Sequence, residues 1–179
     1  MRRGLAGLAV VAVLLVVALA GWDFLKPGRQ IPQLADQASR ATSIVVEKQS
    51  RQLTLLHNDK VIKTYRVSLG GDPVGPKLRE GDSRTPEGDY TIDGKNRRSR
   101  FHLALHISFP DAKDRARAAQ NGVPPGSDIM VHGLPNGLGW LGGLHLHRDW
   151  TDGCIAVTNA EMEEIWALVD SGTPIQIKP

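Results

Sequence analysis

The chain contains a single cysteine, Cys154, at the end of the stretch RDWTDGC. A thiol becomes a useful nucleophile when a neighbouring group lowers its pKa or takes its proton, and histidine is the usual partner. Gly153 precedes the cysteine and predicts a tight turn that exposes the sulfur and leaves backbone N–H groups free to face a developing oxyanion. The pattern therefore indicates nucleophilic catalysis by Cys154.

Three histidines upstream are candidates for the base: His132, His145 and His147. A Cys/His pair meets through the fold, so spacing along the chain does not decide among them. His145 and His147 lie two residues apart, and on a strand they would share one face, as in some metal sites. A third ligand of obvious spacing is missing and a lone cysteine cannot build a cysteine-based zinc site, so we expect no metal.

Charge argues against a nucleic-acid partner. The formal net charge of +3 owes two of its units to Arg2 and Arg3, and the remaining Lys and Arg nearly balance the 19 Asp and Glu. A nearly neutral body offers no electrostatic footprint for a polyanion. Several arginines flank the long loops, and we interpret them by default as a solvated face.

The first 20 residues predict export. Arg2 and Arg3 precede an uncharged, almost wholly apolar run from Gly4 to Ala20, which has the layout of a signal peptide and is at the short end of what spans a bilayer. We expect residues 1–20 to be a signal peptide or an N-terminal membrane anchor, followed by a linker over residues 21–42. Either alternative places the body in the periplasm or on the outer face of the cytoplasmic membrane. An odd cysteine there is either paired with another molecule or a free, reactive thiol.

Residues 43–179 predict a strand-dominated domain. Strands are expected at Ile44–Lys48, Gln52–His57 and Val61–Ser68, with a tight hairpin turn at HNDK, and within the segments DYTID, FHLALHISF, DIMVHG, GGLHLH and PIQIK. Alternation along FHLALHISF would place His102 and His106 on one face. One helix is expected from Asp111 to a stop at Gly122, and a second over Asn159–Ser171 with a capping box of Thr158 and Glu161 and with Met162, Ile165, Trp166 and Val169 in the core. The fold class is mainly β, a barrel or sandwich with two or so helices attached.

Three motifs then follow one another in a fixed order: TPEGDY (85–90), VHG (131–133) and TDGCIAV (151–157). Together they resemble the L,D-transpeptidase catalytic domain, also called the YkuD domain, over residues 43–179. The resemblance implies an L,D-transpeptidase-like barrel or sandwich. It also implies that Cys154 attacks the third residue of a peptidoglycan stem peptide, forms a thioester, and passes the acyl group to an amine.

The resemblance further assigns roles to the neighbouring residues. His132 matches the histidine–glycine motif and is implied as the general base, with the Gly133 carbonyl orienting its ring. Backbone donors at Gly153 and Cys154 are implied for the oxyanion, and Thr151 occupies the Ser/Thr position of the cysteine motif. No cofactor is implied. His147 remains the alternative base.

The motif also departs from the usual family pattern, which has a histidine at Asp152 and an arginine at Ala156. We hypothesise that Arg148 takes over the role of the missing arginine. The 22-residue spacing from His132 to Cys154 predicts an enlarged loop with Trp140 at its tip, shaping the entrance. Asp152, Trp140 and His147 join Arg148 as substrate-binding candidates, although a tryptophan is more often core and an aspartate here more often a turn residue.

These departures indicate a YafK-like subgroup and leave the substrate more open than the reaction class. The partners expected are peptidoglycan stem peptides, with a wall-linked lipoprotein as a further candidate. Two alternative functions stand beside the transpeptidase. One is an L,D-carboxypeptidase or amidase, in which water resolves the thioester, and the other is a non-catalytic cell-wall-binding module.

Overall fold

The computed structural model of the protein describes residues 31–179. The predicted signal or anchor at residues 1–20 and the first part of the linker over residues 21–42 lie outside this range. Within residues 31–179, none of the helices has the length and hydrophobicity of a membrane span.

Eight strands form one curled, mixed sheet, which confirms the mainly β fold class. They are β1 Ser43–Glu47, β2 Gln52–His57, β3 Lys60–Arg66, β4 Gly88–Asn96, β5 Ala104–Ile107, β6 Met130–His132, β7 Ile155–Ala156 and β8 Pro174–Lys178. Their order across the sheet is β3-β2-β1-β8-β4-β5-β6-β7. Neighbours are antiparallel except β1 with β8 and β6 with β7, which are parallel.

The two edges of this sheet are linked by the chain that continues β3. Ser68 donates its N–H to the Ala156 carbonyl at 2.9 Å and accepts the Ala156 N–H at 2.8 Å. Because β7 is bonded to β6 on one side and to Ser68 on the other, the sheet wraps around its core like a barrel. Fully buried side chains such as Leu53, Ile92 and Ile155 fill the interior.

The predicted HNDK turn joins β2 to β3. Asn58 and Asp59 have φ of 48° and 64°, which is the conformation that a two-residue turn needs to match the twist of its strands. His57 pairs with Lys60 across it.

Two α-helices carry the predicted N-terminal caps. Helix α1 is Ala112–Gln120 and is capped by Asp111, and helix α2 is Asn159–Leu168 and is capped by Thr158. The Glu161 of α2 completes the predicted capping box. Three further residues of α2, Met162, Ile165 and Trp166, are buried as expected.

Helix α2 ends three residues before the predicted Ser171. Its last carbonyls are taken by other parts of the chain: Lys95 Nζ donates to the carbonyls of Trp166 and Val169, each at 2.7 Å. The N–H groups of Ala35 and Ala41 donate to the carbonyls of Ala167 and Leu168, each at 2.8 Å. These contacts satisfy the helix end, and residues 35–41 pack there around a short 3-10 turn, Gln37–Ser39.

The predicted strand at GGLHLH is wrong. Residues 139–147 form a 3-10 stretch that is kinked at Gly142, whose φ is 49° and ψ −131°. The apolar alternation of this segment imitates a strand, but the outer edge of β7 is already bonded to Ser68, so no edge is left for it to join. His145 and His147 therefore do not share a strand face.

The FHLALHISF segment is extended over only four residues, Ala104–Ile107. His102 has φ of 66°, which a strand does not allow, so the expected common face with His106 is wrong. His102 instead contacts Glu163 of α2 through Nε2 at 2.8 Å.

Candidate active site

The cysteine lies directly before β7, at the end of a turn held by Thr151. The Thr151 hydroxyl donates to the Cys154 carbonyl at 2.7 Å and accepts the Gly153 N–H at 3.2 Å. Gly153 has φ of 125°, and a Cβ there would lie 2.5 Å from the Arg84 carbonyl oxygen. A glycine is therefore required for this turn, and its N–H is engaged by Thr151 in the free protein.

A neighbouring backbone segment fixes the position of the turn. The N–H groups of Trp150 and Thr151 both donate to the Leu69 carbonyl at 3.1 Å, and the Gly71 N–H donates to the Thr151 carbonyl at 2.9 Å. Asp149 accepts the Leu69 N–H at 2.9 Å and forms an ion pair with Arg51. Asp149 therefore holds the loop through Leu69 and Arg51.

His132 ends β6 and is almost fully buried. Its Nδ1 lies 2.6 Å from the Gly133 carbonyl oxygen, the contact that the resemblance implies. A carbonyl only accepts, so Nδ1 carries the proton and Nε2 has the free lone pair. A Cβ on Gly133 would lie 2.6 Å from Asn159 Oδ1, which accepts the Leu134 N–H at 2.8 Å, so the start of α2 fixes this segment.

The parallel pairing of β6 and β7 brings the nucleophile and the histidine to one face. Val131 pairs with Ile155 and His132 with Ala156, so Cys154 is level with Met130, one pair earlier. Side chains alternate between faces along a strand, which puts Cys154 and His132 on the face opposite the fully buried Val131.

The sulfur itself is held by backbone groups. Cys154 Sγ donates to the Asp128 carbonyl at 3.6 Å and accepts from the Met130 N–H. Among residues 31–179 no hydrogen bond joins Cys154 to His132 in the free protein. Catalytic hydrogen bonds are often long before substrate binds, so the shared face still leaves His132 a candidate base.

Aromatic rings enclose the imidazole of His132. The Phe101 ring centroid lies 4.5 Å from it, and Trp150 meets it edge-on at 5.9 Å. Burial is the main cause that lowers the pKa of His132 to about 4; the Gly133 hydrogen bond opposes the shift and nearby His145 adds to it. The imidazole is therefore neutral at neutral pH and can accept a proton.

The thiol is neutral as well. Burial raises the pKa of Cys154, and the charges of Asp152 and Asp128 raise it further, whereas the Met130 amide and the Lys77 ammonium lower it. The side chain is only partly exposed. Cysteine and histidine thus rest as a neutral pair.

The enlarged loop after His132 forms an apolar cavity of about 330 Å³ beside Trp150. Its lining consists of Leu134, Pro135, Leu138, Leu141, Leu144, His145, His147, Arg148 and Trp150. Trp140, the predicted loop tip, is 48% exposed and is absent from this lining. The enlarged loop therefore forms the cavity through its leucines.

The two other candidate histidines differ in surroundings. His145 is buried, and its Nδ1 accepts the Trp150 indole N–H at 3.3 Å, which leaves the proton on Nε2. His147 is exposed, as are Arg148 and Asp152. Over residues 31–179 no group of three or more His, Cys, Asp or Glu side chains is arranged to hold a metal ion.

Three contributors were missed from the sequence: Phe101, Asn159 and Lys77. Phe101 is the first residue of the predicted strand segment FHLALHISF and has the type of an ordinary core residue. Asn159 is expected only as the first residue of a helix, and nothing in its type indicates a contact with the segment after His132. Lys77 lies in the long loop GGDPVGPKLREGDSRTPEG, and its contact with the cysteine turn, through the Asp152 carbonyl, joins segments 75 residues apart in the chain.

The structure is a curled, mainly β domain in which Cys154, directly before β7, and His132, at the end of β6, lie on one face of two adjacent parallel strands. The sequence model of the L,D-transpeptidase catalytic domain, YkuD, matches residues 41–177. The chain belongs to this family.

One curated relative is similar in sequence, and two solved structures have a similar fold. The chain is 30% identical to the Escherichia coli K12 protein YafK over 112 residues, which cover 62% of this chain and 38% of YafK. The helical cell shape determining protein Pgp2 of Campylobacter jejuni has a similar fold, with a TM-score of 0.57 and 20% identity over 92% of this chain and 56% of that one. Bd1075 of Bdellovibrio bacteriovorus gives a TM-score of 0.52 and 23% identity over 82% of this chain and 51% of that one. The chain thus spans about two fifths of YafK and about half of these solved structures.

Proposed function

We propose that the protein is a cysteine-dependent L,D-transpeptidase that acts on peptidoglycan stem peptides. The placement of Cys154 and His132 on one face of adjacent strands, inside a domain of this family, carries the proposal. Catalytic hydrogen bonds often form only once substrate is bound, so the proposal does not require one between the two side chains in the free protein.

In the first half-reaction Cys154 Sγ attacks the carbonyl carbon of the third stem residue. The thiol proton passes to His132 Nε2 as the carbon–sulfur bond forms. The carbon–nitrogen bond to the terminal D-amino acid then breaks, and His132 returns the proton to the departing amine. The product is a thioester on Cys154.

In the second half-reaction an amine attacks the thioester. His132 takes a proton from the attacking nitrogen, the carbon–sulfur bond breaks, and the proton restores the Cys154 thiol. The new bond is an amide, so no oxidant or cofactor enters the balance. Water in place of the amine would give the hydrolase reaction.

The turn before the cysteine supports the charge that develops on the carbonyl oxygen. The Cys154 N–H is the proposed donor, and the Gly153 N–H joins it by exchanging its Thr151 partner for the oxyanion. His147 and Arg148, on the rim of the apolar cavity, and the exposed Asp152 and Trp140 are proposed contacts for the rest of the stem.

We further propose an exported location, in the periplasm or on the outer face of the cytoplasmic membrane. Peptidoglycan lies in that compartment, and the apolar segment at residues 1–20 is the feature that supports export. The role of Pgp2 in cell shape fits a wall substrate for this domain too. A wall-linked lipoprotein is a second acceptor or substrate to include in assays.

The test is the mass of the intact protein after incubation with a purified tetrapeptide stem. We expect an adduct equal to the stem minus its terminal amino acid on the full chain and none on Cys154→Ala. The same adduct on Cys154→Ala, or none on the parent protein, would refute the assignment. Adding an amine acceptor and analysing the products separates transfer from hydrolysis.

A further inference from the structure

Lys77 is a buried lysine close to the cysteine turn. Its side chain is 3% exposed, although Leu78 and Arg79, which follow it, are exposed. Burying an ammonium group costs several kcal/mol unless nearby groups compensate. Its Nζ lies 2.8 Å from Asp82 Oδ1 and 3.5 Å from the carbonyl oxygen of Asp152, two residues before the nucleophile.

The stem of Lys77 is clamped in this position. Gly126 lies against it so closely that a Cβ there would be 3.1 Å from Lys77 Cε. The Lys77 carbonyl accepts from Arg117 Nη2 at 3.1 Å. The ammonium is therefore fixed beside the cysteine turn rather than free to move to solvent.

Asp82 neutralises Lys77 only in part. Its carboxylate also accepts the N–H groups of Leu78, Arg79 and Arg84, at 2.7 to 3.1 Å. Burial raises the pKa of Asp82, but the hydrogen bonds from Lys77 and these three amides outweigh it and lower the pKa to about 2. Because the amides share the carboxylate charge, part of the Lys77 charge is left to act on its surroundings.

Lys48 gives a useful contrast. It is as buried as Lys77, at 2% exposed, but its Nζ has three close acceptors: the carbonyls of Gly75 and Thr85, at 2.5 and 3.0 Å, and Glu87 Oε1 at 2.7 Å. These satisfy all three ammonium donors. Lys77 has one close acceptor and one long one, and the long one belongs to the cysteine turn.

The charges facing Cys154 are otherwise unfavourable to a thiolate. Asp128 and Asp152 both oppose negative charge on the sulfur. Among the side-chain cations of residues 31–179, Lys77 is the one whose charge lowers the pKa of Cys154. Arg148, which the sequence suggested as a replacement for the missing arginine of the motif, is exposed at the cavity rim. From the other strand, His132 is neutral.

We infer that Lys77 is a positioning residue for the proposed reaction: its clamped ammonium holds a positive charge beside the cysteine turn and stabilises the Cys154 thiolate. The inference rests on the proposed function for its purpose, but not for its test. Buried charges are screened less than surface ones, so the effect persists at physiological salt.

The experiment measures the rate of Cys154 alkylation by iodoacetamide on the full chain between pH 7 and pH 11. With one cysteine in the protein, the whole signal reports this thiol. Lys77→Met should raise the apparent pKa of the thiol by about one unit and slow alkylation about tenfold below that pKa. Lys77→Arg should restore most of the rate.

Lys48→Met is the matched control, because it removes an equally buried, ion-paired lysine without changing the charge at the turn. Asp82→Asn covers the case in which Lys77→Met does not fold: it frees the Lys77 charge and should lower the thiol pKa. An unchanged thiol pKa in Lys77→Met or in Asp82→Asn, or an equal rise in Lys48→Met, would overturn the inference.

The two proposals fail separately. If the stem peptide forms no thioester while Lys77→Met still shifts the alkylation profile, the proposed function falls and the role of Lys77 stands. If the thioester forms at equal rates in the parent protein and in Lys77→Met, and the alkylation profile is the same in both, the proposed function stands and the role of Lys77 falls.

Discussion

Replacing His132 with asparagine tests the protonation state that the fold imposes on its buried imidazole. Burial lowers the pKa of His132 to about 4, whereas the unfolded chain titrates at its ordinary value of 6.5. Between these values the unfolded state binds more protons than the folded one. The contribution of His132 to the free energy of unfolding therefore has its full value above pH 6.5 and is lost as the pH falls towards 4.

The size of the effect follows from these two pKa values. A gap of two and a half units, at about 1.4 kcal/mol each, is about 3.5 kcal/mol of unfolding free energy in full. About 3 kcal/mol of it is lost through this residue between pH 7 and pH 4, because half of the folded molecules still have a neutral imidazole at pH 4. Asparagine keeps a donor for the Gly133 carbonyl but does not titrate. The cavity that it leaves costs the same at both pH values and cancels in the comparison.

The assay is urea unfolding of the full chain, followed by far-ultraviolet circular dichroism, at pH 7 and pH 4. We expect the loss of unfolding free energy between the two to be about 3 kcal/mol larger for the parent protein than for His132→Asn. His132→Gln, which packs differently, should agree with asparagine. Equal losses in all three proteins would mean that the imidazole is not held neutral, and the proposed base would lose its support.

Two further predictions concern the same face of the sheet. Thr151→Val removes the hydrogen bonds to the Cys154 carbonyl and from the Gly153 N–H, so it should lower the unfolding free energy by about 2 kcal/mol and slow thioester formation, whereas Thr151→Ser should preserve both. Equal stability of the valine and serine variants in urea would contradict this. His147→Ala should leave the thioester rate at saturating stem peptide, measured by intact mass, within about twofold, since His147 is exposed, lies outside the aromatic enclosure and is proposed to contact the stem and not the reacting atoms. If His147→Ala abolishes the reaction while His132→Asn does not, the base is His147.

Local patterns predicted most of the fold because local physics determines those elements. The capping box of Thr158 and Glu161 and the Asn58–Asp59 turn depend on neighbouring residues alone, and both are present. The strand predicted at GGLHLH is wrong for a reason that lies outside the segment: Ser68 occupies the sheet edge that a strand there would need. Edge occupancy is set by topology, which periodicity does not encode.

The candidate site divides in the same way. Cys154, Gly153 and His132 could be proposed from the sequence because a nucleophile, its turn and its base have recognisable residue types. Lys77 and Phe101 reach the candidate site through contacts between segments distant in the chain, and their types are common in any loop or core. The sequence therefore suggested the groups proposed to react, whereas the groups proposed to adjust their charge required the structure.

The neutral resting pair constrains how the proton moves in the proposed reaction. Burial lowers the pKa of His132 and raises that of Cys154, so transfer of the thiol proton to the imidazole is unfavourable before substrate is bound. A preformed thiolate–imidazolium pair would react quickly with any alkylating agent at neutral pH, and this pair should not. The proton must then leave the sulfur as the bond to the carbonyl carbon forms, when the oxyanion donors share the negative charge. In that step the Lys77 charge favours the transient negative charge on the sulfur, and solvent cannot easily replace it because Lys77 is buried.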